Sequence, residues 1–210
     1  MQGENRITGI ILAGGQGTRL GGIDKAFLEV GGIPLVEHVL GTLSEICGDI
    51  IVVSRTPEDY RHYEVRSVED LVHGAGPLGG LYTGLMTSRS SINFVTACDM
   101  PFLNGHLIRY MISRFGATDI LIPRVNSYVE PLHALYSRAC ISAIESRLQA
   151  GERKLSSYFD EVSVAFVEEE EISRFDPDLR MFTNINHSQD IETAERMRGN
   201  ETSHDCDGCY

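Results

Sequence analysis

Apolar positions along this chain fall into two kinds of run that alternate from the start. Ile10-Ile11-Leu12 is a short continuous block; Leu35, Val36, Val39, Leu40 and Leu43 recur at helical spacing; Ile50-Ile51-Val52-Val53 is continuous again. Continuous blocks of this length suit strands buried on both faces, and the three-to-four-residue spacing suits helices with one buried face. The segment therefore predicts a strand, a long loop, a helix over residues 34–43 and a second strand. The alternation continues with helices over residues 78–86, 107–115 and 140–148, and strands over residues 93–97, 120–122 and 162–167. An apolar stretch occupies residues 132–136, and a last helix runs from Ser188 as N-cap to Arg198. Strands alternating with helices predict an α/β fold, three layers deep, with a mostly parallel central sheet.

The acidic run Glu168–Glu171 lacks periodicity and is expected on a solvated face, and residues 172–180 read as a connection. The chain has 210 residues, enough for one sizeable core and short for two, so residues 1–198 are expected to form one domain and Gly199–Tyr210 a flexible C-terminal tail.

A net charge of −12 would repel a phosphate backbone over most of the surface, which argues against nucleic acid as a partner. Every apolar run is far shorter than the roughly 20 residues of a membrane span, and residues 1–6 have no apolar signal core, so a soluble, cytoplasmic protein is expected. Cys47, Cys98 and Cys140 sit among apolar neighbours, as reduced core cysteines do. His204, Cys206 and Cys209 give three ligands where a zinc site usually takes four, and they read as part of a loose tail.

The chemistry concentrates after the first strand. Ala13-Gly14-Gly15-Gln16-Gly17-Thr18-Arg19-Leu20-Gly21-Gly22-Ile23-Asp24-Lys25 carries five glycines, whose unhindered N–H groups can wrap a phosphate chain. The spacing fits neither a dinucleotide-binding G-x-G-x-x-G nor a P-loop Gly-Lys-Ser/Thr. What remains is a glycine loop with one guanidinium, Arg19, and one ammonium, Lys25, a fork and a point charge able to share the oxygens of a triphosphate. Such a loop is often only a surface connection, but ligands of open α/β sheets sit beyond the carboxyl ends of strands, where this one begins.

A carboxylate is expected at the same rim. Asn93–Ala97 reads as a buried strand, and Cys98-Asp99-Met100-Pro101 follows it, with Pro101 stopping the ladder. Mg²⁺ takes one or two protein carboxylates and completes its shell with water and phosphates, so Asp99 alone is adequate as its protein ligand. Lys25, Arg19 and Asp99 are the candidate catalytic residues.

Leu12-Ala13-Gly14-Gly15 with Arg19, Gly22 and Asp24-Lys25, then Gly76-Pro77-Leu78-Gly79-Gly80-Leu81, Cys98-Asp99-Met100-Pro101-Phe102, Glu130-Pro131-Leu132-His133-Ala134-Leu135-Tyr136 and Asn184-Ile185-Asn186 together resemble the molybdenum cofactor guanylyltransferase family. The resemblance spans residues 12–186. It implies a Rossmann-like nucleotidyltransferase fold and transfer of GMP from GTP to the phosphate of molybdenum-bearing molybdopterin, with release of pyrophosphate and with Mg²⁺ as cofactor. It also implies that Leu12, Ala13, Gly14, Gly15 and Lys25 hold the nucleotide, with Asp99 at its phosphates. Asp70 and the turn of residues 76–79, Gly79 included, would hold the guanosine. Glu130, Asn184 and Asn186 would face the acceptor, and His133 is a further contact if it is not simply a core histidine. A transient contact with a molybdoenzyme or a cofactor-delivery protein is a further implication.

Gly17-Thr18-Arg19-Leu20 departs from the family towards the sugar-phosphate nucleotidyltransferases, whereas Asp24-Lys25 departs from those. Sugar-phosphate transfer, cytidylyl transfer to the same pterin and a non-catalytic nucleotide-binding protein remain the alternatives.

Overall fold

The computed structural model describes residues 7–14, 19–20 and 23–201, apart from the side chains of residues 19, 20, 23, 188 and 199–201. The first strand, β1 (Thr8–Ala13), is buried along its whole length. Two short ribbons follow: β2 (Arg19–Leu20) with β3 (Ile23–Asp24), and β4 (Glu29–Val30) with β5 (Ile33–Pro34). Next come α1 (Leu35–Ser44), β6 (Asp49–Ser54), β7 (Arg66–Glu69), α2 (Gly76–Thr87), β8 (Ile92–Ala97) and α3 (Gly105–Arg114). The chain continues through β9 (Ile120–Val125), β10 (Tyr128–Val129), β11 (His133–Ser137), α4 (Ile141–Gln149), β12 (Val164–Glu168), the single turn α5 (Glu169–Ile172) and α6 (Ser188–Glu201).

The main sheet has the order β10-β9-β11-β8-β1-β6-β7, with β12 alongside β9. β8, β1, β6 and β7 are mutually parallel, as are β9 and β12. β11 runs antiparallel between β8 and β9, because the chain turns back through β10 directly after β9. All the parallel strands therefore end at one rim.

Alternate residues of β1 explain the three layers. Ile11 and Ala13 face a core shared with Val36, Val39 and Leu43 of α1 and Leu107, Ile108 and Met111 of α3. Ile10 and Leu12 face the opposite core, with Leu78, Leu81 and Leu85 of α2 and Ile144 of α4. Each of the larger side chains contributes about 1.5–3 kcal/mol by leaving water. Helix α2 lies directly on β1 through its glycines: a Cβ at Gly84 would come within 2.5 Å of Ile10, and one at Gly80 within 3.2 Å of Leu12. That close seat sets the helix N-terminus at the rim where β7 ends.

The acidic run behaves differently from its sequence expectation. Glu168 and Glu171 make a capping box around α5, Glu168 pairs with Arg124, and Glu171 pairs with Arg114 and accepts the Tyr110 hydroxyl. Glu168 and Glu171 thus serve to dock α5, while Glu170 stays exposed to solvent as expected. The strand β7 escapes the hydrophobic pattern because Arg66, Ser67 and Glu69 interrupt it; its place at the sheet edge, paired only with β6, tolerates those polar residues.

A third, small core joins Ile185 and Ala194 to Val30 and Leu35. It attaches α6 to the β4–β5 hairpin, whose two loop residues Gly31 and Gly32 both have positive φ, +61° and +73°, as a tight hairpin of this hand requires. Arg198 fills the space above Gly31 and donates to the Val30 carbonyl at 2.7 Å. Residues 202–210, with His204, Cys206 and Cys209, lie outside the described residues.

Candidate active site

The rim at the carboxyl ends of β1, β6, β7 and β8 collects most of the residues singled out above. Leu12 is buried beneath Gly80, and its carbonyl accepts the Cys98 N–H at 3.2 Å, which locks the end of β1 to the end of β8. Ala13 is the last residue of β1, and Gly14 follows it, exposed, beside the backbone of Ser54 and Arg55. Gly15 and the Arg19 side chain lie outside the described residues; the Arg19 backbone pairs with Asp24 across β2 and β3.

Lys25 opens a short 3-10 turn. The Asp24 carboxylate accepts the Ala26 N–H at 3.0 Å and the Lys25 carbonyl accepts the Leu28 N–H at 3.1 Å, so the backbone on each side of the lysine is fixed. Its ammonium donates to Oδ1 of Asn186 at 2.6 Å. The next residue back, Ile185, donates its N–H to the Asp99 carbonyl at 2.9 Å. Three segments far apart in sequence thus meet at one place: residues 24–27 after the glycine loop, residues 98–101 after β8, and residues 184–187 before α6.

The electrostatics follow from that meeting. Asp99 is half-buried, and loss of water pushes its carboxyl above the ordinary carboxylate range, while the nearby Lys25 charge and a backbone N–H pull the other way. Glu130, also half-buried, is raised by burial and by repulsion from Asp99, against an N–H donated by Leu132. Two carboxylates that desolvate and repel each other, with Lys25 as a compensating cation, suit a hard divalent cation with oxygen ligands. No group of three or more His, Cys, Asp or Glu able to hold a metal occurs among the described residues. A Mg²⁺ ion here would rest on Asp99, with phosphate and water oxygens completing its shell.

Asp70 stands just after β7. Its Oδ1 accepts the Val72 N–H at 3.1 Å and the Thr83 hydroxyl at 2.8 Å, and the Thr83 oxygen in turn accepts the Leu71 N–H at 3.0 Å. Its Oδ2 faces Gly79, where a Cβ would lie 3.4 Å away, and 2.9 Å from the Ala75 Cβ. The loop between β7 and α2 is thus closed on itself around Asp70, at the positive end of a helix dipole.

Asn184 and Asn186 are exposed on either side of buried Ile185. His133, in contrast, is fully buried between Phe94 and Phe182, neither ring nitrogen has a hydrogen-bond partner among the described residues, and burial holds it neutral with a pKa of about 3. Of its two readings, acceptor contact and core residue, the geometry gives the second. Asp190 was not legible as a site residue. One oxygen of it accepts the N–H groups of Asn186 and His187, both at 2.7 Å, and those bonds with the nearby Lys25 charge hold its carboxyl below the usual range. The sole signal in the sequence was an acidic residue two places after Ser188, a common arrangement for the first turn of a helix.

A mostly parallel α/β sheet with a glycine loop, a lysine and half-buried carboxylates at its rim defines a nucleotidyltransferase of the α/β type. The chain belongs to the MobA-like NTP transferase domain family, whose model matches residues 9–165. It is 39% identical over 190 residues to the molybdenum cofactor guanylyltransferase of Syntrophotalea carbinolica, covering 90% of each protein. It is 36% identical over 190 residues to that of Desulfosudis oleivorans, covering 90% of this chain and 94% of the relative. Among solved structures, the molybdopterin-guanine dinucleotide biosynthesis protein A of Archaeoglobus fulgidus superposes with a TM-score of 0.81 at 28% identity, over 92% of this chain and 100% of that one.

Proposed function

We propose that this protein transfers GMP from GTP to the phosphate of molybdenum-bearing molybdopterin. The relatives' names support the donor and the product. The observation on this chain that carries the reading is the meeting of three segments: the Lys25 ammonium donates to Asn186 at 2.6 Å, and the N–H of the adjacent Ile185 donates to the Asp99 carbonyl at 2.9 Å. An oxygen of the acceptor phosphate attacks the α-phosphorus of GTP, the bond from that phosphorus to the bridging oxygen breaks, and pyrophosphate leaves with the electron pair. Both reactants are anions, so positioning and charge neutralisation supply most of the catalysis. The N–H groups of the loop after β1, with Lys25 and Arg19, neutralise the β- and γ-phosphates.

Asp99 would hold Mg²⁺, which when bound would supply Lewis-acid stabilisation of the phosphoryl oxygens. Leu12, Ala13, Gly14 and Gly15 line the nucleotide, the loop of Asp70 and Gly79 meets the guanosine, and Glu130, Asn184 and Asn186 face the acceptor. A phosphate monoester has its second pKa near about 6 and attacks without a general base.

No helix among the described residues is long and apolar enough to cross a membrane. The free Cys47, half-buried, and Cys140, buried, whose thiols loss of water pushes up to about 12, suit a reducing cytoplasm. Transient handover to a molybdoenzyme or delivery protein completes the proposal.

Lys25→Ala and Asp99→Ala should each lower the rate by about 10²–10³, the usual loss of one charge-stabilising group, with thermal midpoints close to the parent's. Pyrophosphate release and formation of the guanine dinucleotide are measured with GTP, molybdopterin, molybdate and Mg²⁺, with CTP replacing GTP in a second arm. An Asp99→Ala protein as fast as the parent, or CTP preferred to GTP, rejects the proposal.

A further inference from the structure

The segment Asn184-Ile185-Asn186-His187 is held at three points. Ile185 is buried against Val30, Leu35 and Ala194, and its N–H is bonded to the Asp99 carbonyl at 2.9 Å. The third point is Asp190, in the first turn of α6, whose Oδ2 accepts both the His187 and the Asn186 N–H. Capping accounts for one of these two bonds. His187 is the residue just before the helix, and an acidic side chain three places on commonly reaches back to that N–H. The Asn186 N–H lies outside the helix, and its bond instead fixes the residue whose Oδ1 accepts the Lys25 ammonium at 2.6 Å.

A lysine side chain has four rotatable bonds and a compact charge, so an ammonium with a fixed direction needs an oriented partner. Asn186 is that partner, and its own orientation depends on the backbone that Asp190 holds. Misplacing a charge-stabilising group by about 1 Å can cost on the order of 10² in rate.

We propose that Asp190 is a positioning residue for phosphate transfer, acting through the Asn186 backbone and side chain to aim the Lys25 ammonium at the polyphosphate. This rests on the reading of the rim as the transfer site. The route is Asp190 to Asn186 to Lys25, and removal of its middle member makes the first irrelevant to rate. A cap that only stabilises α6 has no such dependence on Asn186.

A double-mutant cycle tests the route: parent, Asn186→Ala, Asp190→Ala and the double variant, with kcat and the GTP KM read from pyrophosphate release. Asp190→Ala is expected to lower kcat about tenfold with less than a threefold change in KM, and the double variant to be no slower than Asn186→Ala alone. Asp190→Asn, whose side-chain oxygen can still accept both N–H groups, should recover at least half of the parent kcat. Multiplying losses in the double variant, an unchanged Asp190→Ala rate, or Asp190→Asn as slow as Asp190→Ala would each overturn the route.

If Asp190→Ala does not fold, Asp190→Ser, which leaves a short hydroxyl near the helix start, takes its place in the cycle. Lys25→Ala separates the two levels of inference. A fully active Lys25→Ala enzyme defeats the reading of the rim itself, whereas an inactive one beside multiplying losses defeats the role of Asp190 alone.

Discussion

At the scale of single residues, the site depends on a few side chains whose partners are backbone groups. Asp70 shows this most clearly, since its Oδ1 is engaged by Val72 and by Thr83, and Thr83 also receives the Leu71 N–H. Replacing the buried Thr83 with Val removes the hydroxyl without much change of shape, leaving the Leu71 N–H and one Asp70 lone pair without their protein partner. Leaving such groups unpaired costs about 1–3 kcal/mol where water cannot replace the partner. The loop is expected to loosen, raising the GTP KM several-fold while kcat stays within about twofold of the parent. Steady-state kinetics over a GTP series checks this, and a kcat loss at unchanged KM would place the loop in the chemistry instead.

The same scale shows what the sequence could and could not carry. Lys25 and Asp99 could be found because each follows a strongly apolar strand or its loop, and strand ends gather ligands in open α/β sheets. Asp190 could not, because its role lies in two N–H groups of a non-helical loop whose path only tertiary contacts define.

At the scale of elements, the strands and helices of the outer layers were legible wherever one periodicity ran unbroken. Helix α2 was legible as a helix, though its glycines lower helix propensity. The reason they are there appears only in the packing: Gly84 leaves room for Ile10, and a Cβ there would sit 2.5 Å from that side chain. Gly84→Ala improves local helix propensity by about 1 kcal/mol and still should destabilise the protein, because overpacking a filled core costs about 1–3 kcal/mol and tilts the helix away from β1. The urea midpoint should fall, and the GTP KM should rise with it, since the start of α2 moves relative to Gly14. Conversely, the edge strand β7 and the reversal at β11 were not legible. Edge position relaxes the demand for apolar residues, and strand direction is a property of the connection, not of the strand's own composition.

At the scale of the whole molecule, the least expected feature is a histidine in the middle of the sheet whose ring nitrogens have no hydrogen-bond partner among the described residues. His133 is bonded through its backbone to Glu130, and its ring meets Phe94 and Phe182 edge-on at 5.1 and 5.3 Å, so the fold uses it as an aromatic spacer. Burial holds its pKa at about 3, against about 6.5 in an unfolded chain. Between those values the unfolded chain binds a proton that the folded protein refuses. Stability from this group is therefore complete above pH 6.5 and is lost as pH falls towards 3, by about 2 kcal/mol at pH 5. The raised carboxyls of Asp99 and Glu130 act in the opposite sense, gaining their proton on folding and losing that contribution as pH rises. They are common to both proteins in a comparison of the parent with His133→Phe, so the difference isolates the histidine. Urea unfolding at pH 7.5 and pH 5 should show the parent losing about 2 kcal/mol more than His133→Phe over that interval. Equal losses in the two proteins would mean that the His133 ring takes up its proton in the folded protein as readily as in the unfolded chain, which would overturn its role as a neutral aromatic spacer.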